Sequence, residues 1–429
     1  MTAPECTPPK PSRAAGFEQV QRVDPQAYAR SRNHLGGAVT GLSPWISHGL
    51  ITLREVAEVL AQEHRLDVQH KLVVELGWRA YYRHVWEDRG MGILASIHPG
   101  PLPDDAYSDR LPLEVREGRS GVPAIDQAVR TLYSTGLLHN HARMWLASYL
   151  VHLRRVHWRV GADWMIGHLL DGDLASNHLS WQWVAGTSSH KPYLFNAENV
   201  ARYAPEAWRS PGTVIDRSYA ELEAIARGAT LPRHGPSASV GIAEADLLFP
   251  GAADEARDFD SVESAGIAES AHPAGGADAQ SAAGAFRAQI GALRNCALWL
   301  VHPWALRPPP PHPPGRPWTL VGCLATEPMA LHPWSARRMA WVTQGMREQT
   351  RIIGRVSLAE LVASVDPSCT ISTWTEAYLA PFLPARIQGV AEAALFRQVR
   401  TRCDSFSRWW KQTTRGLESL DELLAVQGA

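Results

Sequence analysis

The sequence predicts a mainly α-helical protein, in which a helical domain is followed by a flexible linker and a small α/β domain. Three observations lead to this fold class. Apolar residues recur at helical spacing through the first half of the 429-residue chain. An abrupt change to a composition rich in Ala, Gly, Ser and acidic residues then marks a linker. Beyond it, short apolar runs alternate with helical segments, which is typical of a parallel sheet.

Residues 1–17 are rich in Pro and Ala, and we expect them to be disordered. Residues 18–228 form the predicted helical domain, because clear β alternation is scarce there. Gly and Pro residues separate its helices. The helices are expected at 51–64, 70–88, 123–136, 141–156 and 162–170.

Residues 229–287 carry few large apolar groups and cannot bury enough surface to offset chain entropy, so we expect an acidic flexible linker. Residues 288–416 form the predicted α/β domain, and residues 417–429 a C-terminal tail. Strands are expected at 296–306, 318–327 and 369–377, and helices at 335–349, 357–365 and 390–415. A Pro-rich loop separates the first two strands, and no Gly-rich phosphate loop accompanies them.

The formal net charge of -1 excludes a global basic field, so nucleic-acid binding would need a local patch. The five cysteines form no CxxC pair, which argues against zinc, an iron–sulfur cluster or a disulfide framework, and no metal is expected. A reducing cytoplasmic location fits this usage. We expect neither a signal peptide nor a membrane span. Seventeen tryptophans suggest either a large aromatic ligand or a Trp-rich core.

The stretch DGDLASNHLSWQWVAG (171–186) is the most informative part of the chain. In a helix, Asp173, Asn177 and Trp181 fall on one stripe at i, i+4 and i+8. A core helix has no use for an acid and an amide beside its large aromatic residue, so these groups must meet something polar that is buried with them. A flat heteroaromatic cofactor would satisfy all three. A buried hydrogen-bond network without a ligand is the alternative.

Two further segments place polar groups beside aromatic or soft side chains. In ELGWRAYYRH, Glu75, Trp78 and Tyr82 share a helical face, which suits hydrogen bonding to a stacked base. In HNHARMWLAS, Asn140 and Met144 are at i and i+4 and suit a base edge against an apolar wall. The alternatives are an amphipathic helix with a solvated Glu–Arg pair and ordinary core filling by methionine.

The segment VTGLSP (39–44) offers backbone N–H groups and the Thr40 and Ser43 hydroxyls at a predicted helix start. Such a terminus can bind an anion such as a diphosphate. A plain helix cap is the alternative interpretation.

Four motifs, in this order, resemble the flavin-binding helical domain of the DNA photolyase/cryptochrome family. They are TGLSPWISHGLITLREV, ELGWRAYYRHVW, GVPAIDQAVRTLYSTGLLHNHARMWLASYLV and DGDLASNHLSWQWVAGT. The resemblance covers about residues 20–205, and four motifs in order make it specific. It implies an all-helical FAD-binding domain similar to that of photolyases, here followed by the linker and the small α/β domain.

The resemblance also implies roles for individual residues. Arg143 would pair with Asp171 beside the flavin, and Asn177 would lie opposite flavin N5, where plant-type photoreceptor cryptochromes tend to carry Asp. The implied lesion-pocket residues are Glu75, Trp78, Asn140, Met144 and Trp183. The implied FAD-binding residues are Tyr28, Val39, Thr40, Gly41, Leu42, Ser43, Arg143, Asp171, Gly172, Asp173 and Asn177. The expected DNA contacts are Arg79, Tyr82, Arg83 and His141. Arg154 and Arg155 are further candidates for a basic rim that would contact the DNA.

Trp181 and Trp158 match the first two members of the family's electron-transfer chain. The third, exposed tryptophan is absent, because Val115 stands at its place. Either the electron-transfer chain is broken, or another residue such as Trp164 or Trp145 forms its outer end. The α/β antenna domain normally precedes the helical domain in the family, whereas here an α/β-like segment follows it. A permuted domain order is therefore expected, and the antenna chromophore stays unknown.

These features predict light-dependent, FAD-using repair of cyclobutane pyrimidine dimers, with damaged DNA as the partner. The enzyme would flip the dimer out of the duplex, which costs least for damaged, already unstacked bases. The alternative is a cryptochrome-like blue-light sensor without repair activity, in which the linker and C-terminal domain are the signalling output.

Overall fold

The computed structural model describes residues 8–189, 191–230, 240–248 and 277–426. Residues 8–230 form a helical unit, and residues 277–426 form a C-terminal unit built on a parallel sheet. Within the described residues, no helix combines the length and apolar character needed to cross a bilayer.

Among the described residues, the helical unit contains twelve α-helices, and local sequence explains several of their ends. Thr52 and Glu55 form a reciprocal capping box, while Pro123 begins a helix that ends at Gly136 in the left-handed conformation (φ 70°). The helices are α1 Arg13–Gln21, α2 Pro25–Ser31, α3 Ser43–Ser47, α4 Leu53–Glu63, α5 Lys71–Arg89, α6 Leu113–Arg116, α7 Pro123–Thr135, α8 Asn140–Ser148, α9 Trp158–His168, α10 Leu174–Ala185, α11 Ala197–Tyr203 and α12 Tyr219–Ala226. A π-helical turn, Tyr149–Leu153, extends α8.

The C-terminal unit alternates strands and helices, as the sequence predicts. Its helices are α13 Ala277–Gly291, α14 Thr326–Leu331, α15 Ala336–Arg347, α16 Leu358–Ser364, α17 Phe406–Thr413 and α18 Leu420–Ala425. The strands, including the short β1 that precedes this unit, are β1 Leu247–Leu248, β2 Ala297–Val301, β3 Trp318–Ala325, β4 Trp334–Ser335, β5 Ile353–Val356, β6 Thr370–Trp374 and β7 Ile387–Val390.

Five of these strands form one parallel sheet in the order β5-β3-β2-β6-β7. The first strand, β2, lies in the middle and is buried along its whole length. A strand that is covered on both faces reads as a continuous apolar run, which is why ALWLV was recognisable from sequence. The strand order reverses direction at β2, so loops on either side of this point diverge and leave a crevice at the carboxyl edge.

Three corrections to the predicted boundaries concern segments expected to be unstructured. Helix α1 begins at Arg13, inside the stretch expected to be disordered, and residues 1–7 lie outside the described residues. In the expected linker, Glu244 accepts a hydrogen bond from the Trp164 indole (2.9 Å), β1 pairs with β4, and α13 already begins at Ala277. Residues 231–239 and 249–276 of that expected linker lie outside the described residues. The expected tail contains α18, whose Leu420 and Leu423 are buried.

The helix expected at 390–415 is also wrong. Strand β7 ends at Val390, irregular chain follows, and only α17 (Phe406–Thr413) is helical. The apolar residues at helical spacing before α17 mislead because Leu395 and Phe396 are buried from a loop. Tertiary burial, rather than helix periodicity, explains their pattern.

The two units are packed together along α5 and α10. Gly77 of α5 faces the Trp410 ring of α17 so closely that a Cβ at this position would overlap the indole. The Trp410 indole N–H also donates to Gln69 Oε1 (3.1 Å). On the other side, Arg338 of α15 reaches the loop between α9 and α10. The C-terminal unit is therefore docked on the most informative stretch of the chain.

Candidate functional site

The loop Asp171–Asp173 and the start of α10 form the centre of the candidate site. Both aspartates are buried. Asp173 is the N-cap of α10, and its Oδ1 accepts the backbone N–H of Ser176 (2.9 Å). The helix ends at Gly186, in the left-handed conformation (φ 81°). Helix α10 packs against α5, α8 and α9, so its stripe is enclosed by the elements that carry the other candidate residues.

Asp171 is neutralised by Arg143, the pairing that the resemblance implies. Arg143 Nη2 lies 2.9 and 2.8 Å from the two carboxylate oxygens of Asp171. Burial opposes ionisation, but Arg143 and the Ser43 hydroxyl outweigh it and hold the pKa of Asp171 below its ordinary value. The ion pair joins α8 to the loop before α10, and a buried carboxylate is tolerable only with such a partner.

Asp173 faces two cations from α5. Arg79 Nη2 and Arg83 Nη2 each lie 3.6 Å from Asp173 Oδ2. This oxygen is buried and accepts no hydrogen bond from the described residues. Although burial opposes it, the positive charges of Arg79 and Arg83 keep the pKa of Asp173 well below its ordinary value. The result is an ionised carboxylate with free acceptor capacity beside two guanidinium groups.

Asn177 and Trp181 continue the buried stripe one and two turns along α10. The Asn177 side-chain N–H₂ donates to the Ala162 carbonyl (2.9 Å), and its Oδ1 is the acceptor atom of the same amide. The Trp181 ring packs on Gly161 of α9, where a Cβ would overlap the indole. The predicted alignment of an acid, an amide and an indole is therefore present, and all three side chains are buried.

The predicted anion loop, residues 39–43, lies at the surface and leads into α3. Val39 is exposed, Gly41 adopts a positive φ of 65°, and the Leu42 N–H approaches Thr40 Oγ1 (3.4 Å). Helix α3 has only five residues, no side-chain cap and a proline, Pro44, without an N–H in its first turn, so its dipole is weak and its backbone donors are few. The Tyr28 ring lies under the Arg32 guanidinium (5.9 Å).

Glu75 and Trp78, the predicted lesion contacts on α5, both have protein partners. Arg32 Nη1 lies 2.7 Å from Glu75 Oε1, and burial raises the pKa of Glu75 despite this cation. Phe406 stacks on one face of the Trp78 ring, with centroids 4.0 Å apart and an interplanar angle of 9°. The stacked face of Trp78 is therefore not available to a substrate, and the Tyr81 and Tyr82 rings also contact this indole, at centroid distances of 5.8 and 5.5 Å.

The other predicted lesion contacts lie nearer to solvent. Asn140 is exposed on the first turn of α8, and its side-chain N–H₂ lies 3.7 Å from Met144 Sδ. Trp183, near the end of α10, is 39% exposed and contacts the Tyr193 ring (5.5 Å). Along α10 the buried polar stripe thus gives way to an exposed indole.

Trp158 and Trp181, the predicted electron-transfer pair, are both buried. Val115 is also buried, and so are Trp145 and Trp164, so neither alternative tryptophan provides an exposed end. A different aromatic route leads outward. The His157 ring lies 5.7 Å from Trp158, and the half-buried Tyr107 ring lies 6.3 Å from His157. Sequence spacing alone could not find Tyr107, because it comes from a separate loop.

The residues predicted to contact DNA all have protein partners in the structure. Arg79 and Arg83 point at Asp173, and Arg83 also pairs with Glu376 of the C-terminal unit. Their guanidinium groups therefore face the polar site inside the protein and do not point toward DNA. Tyr82 is turned toward Ser180, whose hydroxyl lies 3.5 Å from the Tyr82 hydroxyl. Burial raises the pKa of Tyr82 to about 12. His141 Nδ1 is bonded to the Asn33 carbonyl (2.7 Å).

The two further rim candidates are also engaged. Arg154 pairs with Glu114, and Arg155 Nη2 donates to the Ala229 carbonyl (3.2 Å). The backbone of Lys191 lies near that of Trp183. The Ser189 hydroxyl is within hydrogen-bond distance of the carbonyls of both Trp183 and the exposed Lys191 (3.1 and 2.9 Å).

Sequence reasoning missed residues that the C-terminal unit supplies. The Tyr378 hydroxyl accepts the backbone N–H of Ala175 in the first turn of α10 (3.2 Å). Arg338 donates to the carbonyls of Ile166 (3.1 Å) and Gly172 (2.6 Å) and lies over the Trp334 ring (4.0 Å). No local signal could have found them, since their partners are more than 160 positions away.

An apolar cleft lies between the two units, at the carboxyl edge of the sheet. Its walls come from α5 and α10 on one side and from the segments after β2, β3 and β6 on the other. Aromatic rings dominate the lining, with Trp86, Trp304, Trp334 and Tyr378 among them. The Asp171 and Asp173 carboxylates belong to the separate polar site.

Comparison with known proteins shows which family this site resembles. The family model "FAD binding domain of DNA photolyase" matches residues 72–227, the region that holds α5, α8 and α10. Through this region the chain is similar to the photolyase/cryptochrome family. FAD is the cofactor of the matched domain.

Curated relatives of both branches of the family match this chain. Deoxyribodipyrimidine photo-lyase of Escherichia coli is 33% identical over 229 residues, which is 47% of this chain and 45% of the relative. The rice cryptochrome DASH is 30% identical over 201 residues, 42% of this chain and 34% of the relative. A photolyase structure from Sulfolobus tokodaii covers 53% of each chain at 26% identity, with a TM-score of 0.40. The chain thus spans less than half the length of these two curated relatives.

The residues of the polar site fit a flavin. Asp173 Oδ2 is a buried acceptor without a donor, and Asn177 Oδ1 is a second acceptor on the same stripe. Both suit a heteroaromatic ring whose edge carries N–H groups. Arg79 and Arg83 supply positive charge at the same place. The start of α3 has no side-chain cap, but this five-residue helix with Pro44 in its first turn contributes little dipole toward a diphosphate.

Proposed function

We propose that this protein uses FAD and light to repair cyclobutane pyrimidine dimers in DNA by electron transfer to a flipped-out dimer. The observation that carries the proposal is the run of residues along α10. Buried Asp173, Asn177 and Trp181 are followed, on the same helix, by the exposed indole of Trp183. One helix therefore joins a cofactor-type environment to a surface on which a base can stack.

The surrounding helices complete this arrangement. Arg143 of α8 and Arg79 of α5 hold the two aspartates ionised, which fixes the polar side of the cofactor site. When bound, FAD would supply the light-driven electron. The chain's own part is to bind and orient. The face of Trp78 opposite Phe406, together with Trp183, would stack the dimer. Asn140 and Met144 would contact the edge of the dimer.

Glu75 would bind the dimer through a hydrogen bond once its ion pair with Arg32 opens. Loss of one charge-assisted hydrogen bond costs about 1.5–3 kcal/mol, so we expect Glu75→Gln to slow repair by roughly 10- to 100-fold. The measurement is the rate at which a thymine-dimer oligonucleotide is restored by the illuminated, reduced protein. Glu87→Gln is the matched control, since this exposed glutamate lies on the same helix.

Two outcomes would contradict the proposal in different ways. Absence of repair by the wild-type protein, with FAD bound and photochemically active, would refute repair itself. Loss of FAD in Glu75→Gln would mean that Glu75 belongs to the cofactor site instead. Equal repair rates for Glu75→Gln and Glu87→Gln would remove Glu75 from the lesion pocket.

A cryptochrome-like light sensor without repair activity is the second candidate. Two contacts favour it: Phe406 covers one face of Trp78, and Arg32 neutralises Glu75. Both contacts reduce what the predicted lesion pocket offers to DNA, and Phe406 belongs to the C-terminal unit, through which a signal could pass. Normal flavin photochemistry without repair would favour this function.

A further inference from the structure

Three residues from three separate elements meet at the boundary between the two units. Asp163 lies on α9, His178 on α10, and His332 directly after α14 of the C-terminal unit. One ligand-type atom from each lies within 4.8 Å of the others. His178 Nε2 is 2.8 Å and His332 Nδ1 is 3.7 Å from Asp163 Oδ1. This cluster plays no part in the proposed flavin chemistry.

When the His178 ring is neutral, no hydrogen atom lies between its Nε2 and the Asp163 carboxylate. His178 Nδ1 lies 3.0 Å from the Leu174 carbonyl, which can only accept, so the ring proton is on Nδ1. In the neutral ring, Nε2 is then a lone-pair atom, and it faces a carboxylate oxygen. Two acceptors at hydrogen-bond distance need a cation or a second proton between them, and His178 is completely buried.

His332 is the second independent observation. Its side chain is only 10% exposed, yet neither ring nitrogen has a hydrogen-bond partner among the described residues. Buried polar atoms without a partner are rare in proteins and call for an explanation. The ring is turned toward the same carboxylate oxygen as His178, and the two imidazole centroids are 5.5 Å apart.

We propose that Asp163, His178 and His332 bind a divalent transition-metal ion of the zinc class. Two imidazole nitrogens and one carboxylate oxygen are ligands that Zn²⁺ takes at about 2.0–2.2 Å. In a tetrahedron these bond lengths put ligand atoms about 3.3–3.5 Å apart. The separations of 2.8 and 3.7 Å lie on either side of this value, so small side-chain rotations would suffice.

The surroundings orient the three ligands and leave a route from solvent. The Leu174 carbonyl fixes the His178 ring, and Arg159 Nε holds the other carboxylate oxygen of Asp163 (2.6 Å), so Oδ1 is left for the metal. The Asp163 side chain is 38% exposed, which gives an ion access. Because His332 belongs to the C-terminal unit and the other two ligands to the helical unit, the bound ion would lock the two units together.

The test uses the full chain after removal of metal with a chelator. Titration with Zn²⁺, followed by calorimetry, should give one saturable site per chain. Co²⁺ should produce the visible absorption bands of a tetrahedral complex. His332→Gln should weaken Zn²⁺ binding by at least about tenfold and abolish the Co²⁺ bands. His312→Gln is the control, since His312 is exposed in the Pro-rich loop and should leave binding unchanged.

A second variant and a second readout cover the case in which a substitution harms folding. His178→Gln should weaken binding as His332→Gln does, and circular dichroism checks the fold of each. Zn²⁺ should raise the thermal midpoint of the wild type but not that of His332→Gln. Absence of saturable Zn²⁺ binding by the folded wild type would overturn the proposal. Equal affinities for the wild type and both folded variants would overturn it as well.

Discussion

Lowering the pH from 7 to 5 should reduce the free energy of unfolding of this protein by on the order of 6 kcal/mol. Burial lowers the pKa of His48 to about 3 and the pKa values of His152 and His302 to about 4. In the unfolded chain these groups titrate at about 6.5. Below that pH the unfolded state therefore binds protons that the folded state cannot, and stability is lost as the pH falls from 6.5 toward 4.

Each such group contributes about 2 kcal/mol at pH 5, from 1.36 kcal/mol per pH unit over roughly 1.5 units. Urea unfolding at pH 7 and pH 5 measures the difference. His152→Gln should remove about one third of it, whereas His312→Gln should not, because His312 is exposed in the folded chain. An unfolding free energy that is the same at both pH values would show that these rings are not held neutral by burial.

Arg338→Met should lower the free energy of unfolding by about 3–5 kcal/mol. The guanidinium is 1% exposed, donates to the carbonyls of Ile166 and Gly172, and lies over the Trp334 ring. Methionine fills a similar volume but donates no hydrogen bond, so two buried carbonyls would lose their partner. The loop that carries Asp171 and Asp173 would lose its anchor on the C-terminal unit, and we expect weaker retention of FAD in this variant.

Arg337→Met is a matched control for this substitution. Arg337 is adjacent in sequence but exposed, so its replacement should change the unfolding free energy by no more than about 0.5 kcal/mol. Denaturant unfolding and the FAD content are measured for the wild type, Arg338→Met and Arg337→Met. The two measurements distinguish the effect of replacing Arg338 from that of replacing Arg337. If Arg338→Met were no less stable than Arg337→Met, Arg338 would have no anchoring role.

Local patterns predicted most of the fold. The helices α4, α5 and α7 lie within two residues of the expected bounds, because amphipathic spacing, caps and a terminal glycine agree in each. The central strand β2 was evident as an apolar run. The errors fall where burial comes from distant contacts: Leu420 of α18 donates its N–H to the Leu66 carbonyl, 354 positions away in the chain.

The candidate site likewise contains features that local sequence predicts and features that depend on distant contacts. The stripe of Asp173, Asn177 and Trp181 could be predicted, since helical spacing alone aligns these residues. The inward direction of Arg79 and Arg83 could not, because it depends on Asp173 and Glu376, which lie on other elements. The scattered cysteines carried no information about His178 and His332.

The FAD content of the purified protein tests the central claim most directly, because every other expectation for the site depends on it. The flavin released on denaturation should approach one FAD per chain for the wild type, after supplementation if needed. Asp171→Asn should lose most of it, since Arg143 would no longer meet a carboxylate. Asp105→Asn, at an exposed position, should retain it. A folded wild-type protein that stays colourless after FAD supplementation would contradict the account.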